Sequence, residues 1–380
     1  MNHSPDIEKW LLLNNAQGIG PVTFGRLLKF FGSVDDILGA SAASLEKVEG
    51  IGPKTAQSIA ASRDKFNVAA ELALAEKLSV TIFTLDDPRY PPALAPIYDP
   101  PPVLYVKGEI TRADSLAVAI VGSRRSSIYG QEQASRFAHL LASGGFTIVS
   151  GLARGVDSSA HRGAITAKGR TIAVQGCGLN HVFPPENKEL FTHITQTGAV
   201  ISELPLATEP RAENFPARNR IIAALSLGTL VIEATANSGA LITAKAALEY
   251  DREVMAIPGK IDSPLNAGSH KLLKQGAKLV DSIEDILETL GCVGKSIESH
   301  TLPLANDALQ KAQAPLFDRA MLNLNENEQK LFDALSKDPI HIDELIASTG
   351  FAAGPVQSSI ISLQIKGLIK QLPGNLYIRR

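Results

Sequence analysis

Residues 117–127 read Ala117-Val118-Ala119-Ile120-Val121-Gly122-Ser123-Arg124-Arg125-Ser126-Ser127: five apolar residues that stop at a glycine, hydroxyls and two arginines. An uninterrupted apolar run of this length fits a strand buried on both faces, and the pattern then recurs. Apolar, β-prone runs follow at 146–149, 171–175, 199–202, 229–233 and 254–257, separated by segments of helical periodicity such as Glu132–Ala142 and Arg218–Leu227. This alternation predicts a parallel, doubly wound α/β sheet with helices on both faces. Upstream, residues 80–108 mix apolar runs with Tyr90-Pro91-Pro92 and Pro100-Pro101-Pro102, which predicts edge strands added to that sheet.

The flanks differ from this centre. Gln17-Gly18-Ile19-Gly20-Pro21 returns 32 positions later as Glu49-Gly50-Ile51-Gly52-Pro53. Each copy is a tight turn opening a helix, with Pro at a tolerated first position and amides free to receive a phosphate or simply to make a compact turn. The repeat resembles the paired helix-hairpin-helix motifs of small SAM-like domains. At the other end, helical patterns near 326–336, 341–348 and 354–366 precede two short strands, 368–372 and 376–378, around Pro373-Gly374-Asn375, which suggests a winged helix. Its recognition helix holds only Lys366 as a cation, so a protein-binding or regulatory role fits better than groove reading. The resulting division is 1–65 helical, 66–290 α/β, 291–322 linker and 323–380 winged helix.

The length of 380 residues suits two or three domains, and 44% hydrophobic with 20% charged residues excludes disorder, collagen and coiled coil as the overall class. The net charge of −2 argues against nucleic acid only as an average. Residues 1–110 carry −3, residues 111–280 carry +5 and residues 281–380 carry −4. A basic centre between acidic ends leaves room for a phosphate-binding surface. Cys177 and Cys292 are too few for a zinc site or a disulfide framework. Asp6 and Glu8 stand where a signal peptide needs positive charge, and no apolar run reaches membrane-spanning length, so a cytoplasmic protein with no membrane association is expected.

Ligands of doubly wound sheets bind beyond the carboxyl ends of the strands, so the loops there carry the chemistry. The first loop offers Gly122, Ser123 and Arg124 before a helix, a set suited to phosphate at a positive helix end. The second is Ser150-Gly151-Leu152-Ala153-Arg154-Gly155-Val156-Asp157, with Asp157 placed to cap a helix and Arg154 to meet a ligand. Beyond Gly176-Cys177-Gly178, the i, i+3 pair Lys188 and Phe191 would set a cation beside a ring able to stack on a base, or Phe191 would be core. Arg218, Asn219 and Arg220 open the next helix, where arginines call for an anion between them. Lys245 follows the fifth strand. The chain has neither Gly-x-Gly-x-x-Gly nor a P-loop, and no nucleophile elbow. His161, His181 and His193 are not at metal spacing, so no cofactor, metal or catalytic residue is expected.

Four stretches taken together closely resemble the DNA-processing protein A family, also called DprA or Smf. They are Val118–Arg124, Ser150–Asp157, Phe215–Ile222 and Ser238–Thr243, and the flanking modules match the family's architecture. The resemblance implies an extended Rossmann domain that binds single-stranded DNA without catalysis. It also implies a homodimer that protects incoming DNA during natural transformation and loads RecA recombinase. It places the family's DNA-contacting arginine on Arg124 and its basic-plus-aromatic pair on Lys188 and Phe191. A competing expectation is enzymatic: Leu227–Glu233 is similar to the Gly-Gly-x-Gly-Thr-x-x-Glu stretch of nucleoside-monophosphate phosphoribohydrolases, with Ser226 and Leu227 in place of its first glycines. A third is an interaction scaffold whose acidic ends meet protein partners.

Overall fold

The run at 117–121 is the centre of a nine-stranded sheet in a computed structural model that describes residues 6–60, 66–291, 324–336, 339–365, 368–372 and 374–379. The strands are β1 (Val80–Thr84), β2 (Val103–Gly108), β3 (Ala117–Val121), β4 (Thr147–Ser150), β5 (Thr171–Val174), β6 (Ala199–Ser202), β7 (Gly228–Val231), β8 (Glu253–Ala256) and β9 (Lys278–Leu279). Their order is β1-β2-β6-β5-β4-β3-β7-β8-β9. β3 to β9 run parallel, β2 pairs antiparallel with β6, and β1 antiparallel with β2. Every residue of β3 to β7 is buried, which is why these strands read as continuous apolar runs. β9 had no such signal, because both its residues are exposed.

Side-chain alternation divides the core between the two faces. Ala119, Val121, Val149, Ile172 and Ile201 face α10 (Asn214–Ala224) and α11 (Ala240–Glu249). On the opposite face Val118, Ile120, Ile148 and Leu230 meet α7 (Ile128–Ser143), α8 (Val156–Thr166) and the helix at 283–291. The remainder of that face, with Ile82, Tyr105, Ala173 and Val200, is covered by α9 (Lys188–Thr197) and the N-terminal helices. These are α1 (Ile7–Asn14), α2 (Pro21–Phe31), α3 (Val34–Gly39), α4 (Ala42–Leu45), α5 (Pro53–Ala60) and α6 (Val68–Leu78). α2 and α5 start at the two repeated prolines, after Gly18 at φ +88° and Gly50 at φ +87°, a left-handed backbone that favours glycine.

α12 (Ala267–Lys274), the helix at 283–291 (α13), α14 (Glu326–Ala334), α15 (Ile342–Thr349) and α16 (Ala353–Ile365) complete the helices. The last three pack with β10 (Ile340–His341), β11 (Ile369–Leu372) and β12 (Leu376–Arg379) as the expected winged helix. Ile361 of α16 reaches the core cluster of α7 and α13. The expected linker (all but Gly291), Cys292 and Lys366 lie outside the described residues. No helix of the described residues is long and apolar enough to cross a membrane.

Candidate nucleic-acid interface

β3 lies between β4 and β7, and the chain order reverses there: the β3 loop leads to α7 on one face and the β7 loop to α11 on the other. Such a switch point opens a crevice at the carboxyl edge. Here it is a cavity of about 530 Å³, lined by residues 122–125, by Phe215, Pro216, Arg218, Asn219 and Ile222 of α10, and by the first turn of α11. Gly155, at φ +73°, lets the β4–α8 loop lie against its wall: a Cβ there would stand 2.4 Å from the Ser123 carbonyl oxygen.

The floor holds two buried groups of opposite charge, Arg218 and Asp157. Arg218, 4% exposed, donates to the carbonyls of Gly151 (2.8 Å) and Val174, stapling the ends of β4 and β5. Burial lowers its pKa to about 10, against the favourable charge of Asp157. Burial also raises the Asp157 carboxyl, opposed by Arg218 and by the loop amides of Gly151 (3.2 Å) and Ala153 (3.4 Å). Asp157 therefore closes the loop ahead of α8 rather than capping the helix, whose cap position is Gly155. Arg218 Nη1 thus serves the scaffold through two carbonyls and Nε through Asn219, while the side chain also lines the cavity. Asn219 accepts from Arg218 Nε (3.1 Å) and donates to the Gly239 carbonyl (3.2 Å), joining α10 to the start of α11.

The rim is different. Arg124 and Arg125 are exposed, and the Arg124 guanidinium lies 5.3 Å from the centroid of the half-buried Phe215 ring. The Phe183 ring packs against the same ring, with its centroid 5.3 Å from that of Phe215. Phe215 is the ring that sequence reading passed over in favour of its neighbouring arginines; an aromatic beside Pro216 at a helix start was the available signal. Ser123 is buried and shapes the loop, donating its N–H to the Glu233 carbonyl (2.7 Å) and accepting from Arg125 N (3.1 Å).

The cavity thus gathers Gly122, Ser123, Arg124, Arg218 and Asn219 from the expected set. Gly151 and Gly155 support it through close backbone approach. Ser150 is buried and donates to the Ile120 carbonyl (2.7 Å), so it ties β4 to β3 and does not meet a ligand. Arg154 is exposed and ion-paired with Glu186. Lys188 is exposed, but Phe191, 5% exposed, lies in the core with Leu190 and Ile194 and has Lys107 Nζ, not Lys188, 5.8 Å from its ring centroid, so the ring is closed to stacking. α10 begins at Asn214, which puts Arg218 and Arg220 a turn inside the helix instead of at its first turn. Arg220 pairs with Glu203 and with Asp99 (3.4 Å), anchoring the proline-rich 85–102 strap rather than a phosphate. Lys245 is exposed and pairs with Glu249 at 3.4 Å.

The expectation of phosphate at the α7 terminus is also corrected. Glu233, 2% exposed, accepts from Ser127 N (2.8 Å) and Ser127 Oγ (2.5 Å), so a protein carboxylate already occupies that helix end. Cys177 is buried, donates to Gln175 Oε1 (3.3 Å), and its thiol is pushed up to about 11 by burial, the opposite of an activated nucleophile. His161 is fully buried with Nδ1 on Thr171 Oγ1 (2.7 Å), and burial drives its pKa down to about 3. Among the described residues no group of three or more His, Cys, Asp or Glu is arranged to hold a metal ion.

Three family models match the chain: DNA recombination-mediator protein A over residues 81–291, a DprA winged helix domain over 313–375 and a SAM-like helix-hairpin-helix tandem over 11–64. Protein Smf of Synechocystis sp. is 36% identical over 390 residues, 98% of each chain. DNA processing protein DprA of Bacillus subtilis is 39% identical over 251 residues, 66% of this chain and 80% of that protein. Among solved structures, DprA from Streptococcus pneumoniae matches with a TM-score of 0.66 and 34% identity, covering 76% of this chain and 98% of that one. DNA processing protein A from Helicobacter pylori, a structure concerned with its single-stranded DNA binding mode, matches with a TM-score of 0.51 and 30% identity, covering 56% and 96%.

Proposed function

This chain belongs to the DNA recombination-mediator protein A family, known as DprA or Smf, and on that premise we propose that it binds single-stranded DNA without sequence preference at the switch-point cavity. The observation that carries the reading is the exposed Arg124 standing over the half-buried Phe215 at the cavity mouth. A phosphate takes the guanidinium, a base enters against the ring, and the buried Asp157 and Arg218 hold the floor in shape. Arg125, Arg154 and Lys188 extend the cationic rim along the carboxyl edge, with Glu186 yielding Arg154 to a phosphate.

In this reading the α/β unit, 66–290, grips DNA as a homodimer in the cytoplasm. Residues 1–65 and 323–380 serve protein partners and regulation, RecA loading among them, and incoming DNA is protected without catalysis or cofactor. Glu233 is a structural carboxylate, so release of free base from a nucleotide that disappears in Glu233→Gln would overturn the non-enzymatic part. The central test is a titration with single- and double-stranded oligonucleotides at two salt concentrations. Single strands should bind more tightly, and Arg124→Ala should weaken them and flatten the salt dependence. Unchanged affinity and slope in Arg124→Ala would sink the reading.

A further inference from the structure

Three large aromatic side chains are exposed among the described residues: Phe30, Tyr98 and Tyr129. Phe30 packs edge-on against Phe31, and Tyr98 lies against Tyr250. The Tyr129 side chain, 51% exposed beside Ile128 at 77%, has no ring contact or hydrogen bond among the described residues. Leaving two adjacent apolar side chains in water gains nothing for the fold.

Their position follows from what lies beneath them. Both stand in the first turn of α7, where Ser127 Oγ accepts from Gly130 N (3.0 Å) and Glu233 accepts from Ser127. Gly130 makes room for that carboxylate, since a Cβ there would meet Glu233 Oε2 at 2.4 Å. The polar groups of the helix end are thus satisfied from inside, and the turn presents a ring and an isoleucine outward. The loop carrying Arg124 and Arg125 runs directly into it. The cavity opens toward α10 and α11 on one face of the sheet, whereas α7 covers the other.

We infer that Tyr129 is a second stacking platform, taking a base of a single strand that leaves the cavity, passes Arg124 and Arg125 and crosses the carboxyl edge toward α7. This rests on the single-stranded DNA reading above. An aromatic face beside cations accepts any base, and Ile128 extends the apolar surface under it.

The test uses the full chain and an oligothymidylate. Tyr129→Ala should weaken binding by ~5- to 100-fold with the salt slope kept, because a stacked base is lost and no cation is. Tyr129→Phe should bind like the wild type. Tyr129→Trp should bind and show quenched emission, read against Trp10, which is the only native tryptophan and is buried against Phe24. Wild-type affinity in Tyr129→Ala, or unquenched Tyr129→Trp with DNA bound, overturns the platform and leaves this turn to a protein partner. If the wild-type chain binds no single strand, the parent reading fails and this one with it. If Arg124→Ala weakens binding and Tyr129→Ala does not, the platform alone fails.

Discussion

Two places on the carboxyl edge pair a cation with a ring, and they turn out as opposites. Lys188 and Phe191 are three residues apart on α9, yet the lysine is in water and the ring is in the core under the N-terminal helices. Arg124 and Phe215 are 91 residues apart and come together at the cavity mouth. The difference teaches that helical spacing reports which residues share a helix but not what covers it. α9 is roofed by the helix-hairpin-helix region, so its apolar stripe of Leu190, Phe191 and Ile194 is consumed by packing.

The largest effect expected is on the buried ring. Phe191→Ala should cost about 3–5 kcal/mol of stability in chemical denaturation while folded protein keeps its single-strand affinity. Lost binding at unchanged stability would restore Phe191 as a stacking residue and break the contrast. Next comes the cavity floor. Arg218→Ala strands Asp157 in the interior and should destabilise by about 3 kcal/mol, with proton uptake by Asp157 limiting the loss. A variant of wild-type stability that merely lost salt-dependent affinity would make Arg218 a phosphate contact instead.

Acid should then act through His161. Its pKa is about 3 in the fold and near 6.5 when unfolded, so the unfolded state binds more protons between those values and stability falls as pH drops through that window. At a pH of about 5 the contribution is about 2 kcal/mol, and replacing His161 with Asn should remove that part of the acid sensitivity. An unchanged pH profile would mean the region below Arg218 is wet. The smallest effects belong to the exposed cations. Arg124→Ala should weaken single-strand binding roughly tenfold and lower the salt slope by about one, and Lys188→Ala should do less, neither moving the denaturation midpoint. Equal losses for both would put Lys188 on the same footing as Arg124.

Much of the fold was legible in the chain because buried parallel strands leave a local record. The six runs from 117 onward became β3 to β8 within two residues, and the repeated Gly-x-Gly-Pro marked α2 and α5. β9 left no record, since a two-residue exposed edge strand has neither periodicity nor apolarity. α10 starts four residues before the periodic stretch that opens at Arg218, with Pro216 in its first turn, where proline is tolerated.

The site was legible only as a list. Glycines, hydroxyls and arginines at strand ends announce a ligand edge, because backbone approach and charge are properties of single residues. Whether an arginine serves the ligand or the scaffold depends on what stands opposite it. Arg218 donates to two carbonyls and Asn219, Arg220 meets Glu203 and Asp99, and Arg124 meets the ring of Phe215 and solvent. Apart from the adjacent Asn219, those partners lie 17 to 121 residues away along the chain and become neighbours only when the sheet orders its strands. Local pattern therefore marked the elements, while burial and long-range charge pairing, which exist only in the folded molecule, divided the same residue type between holding the fold and facing the open cavity mouth.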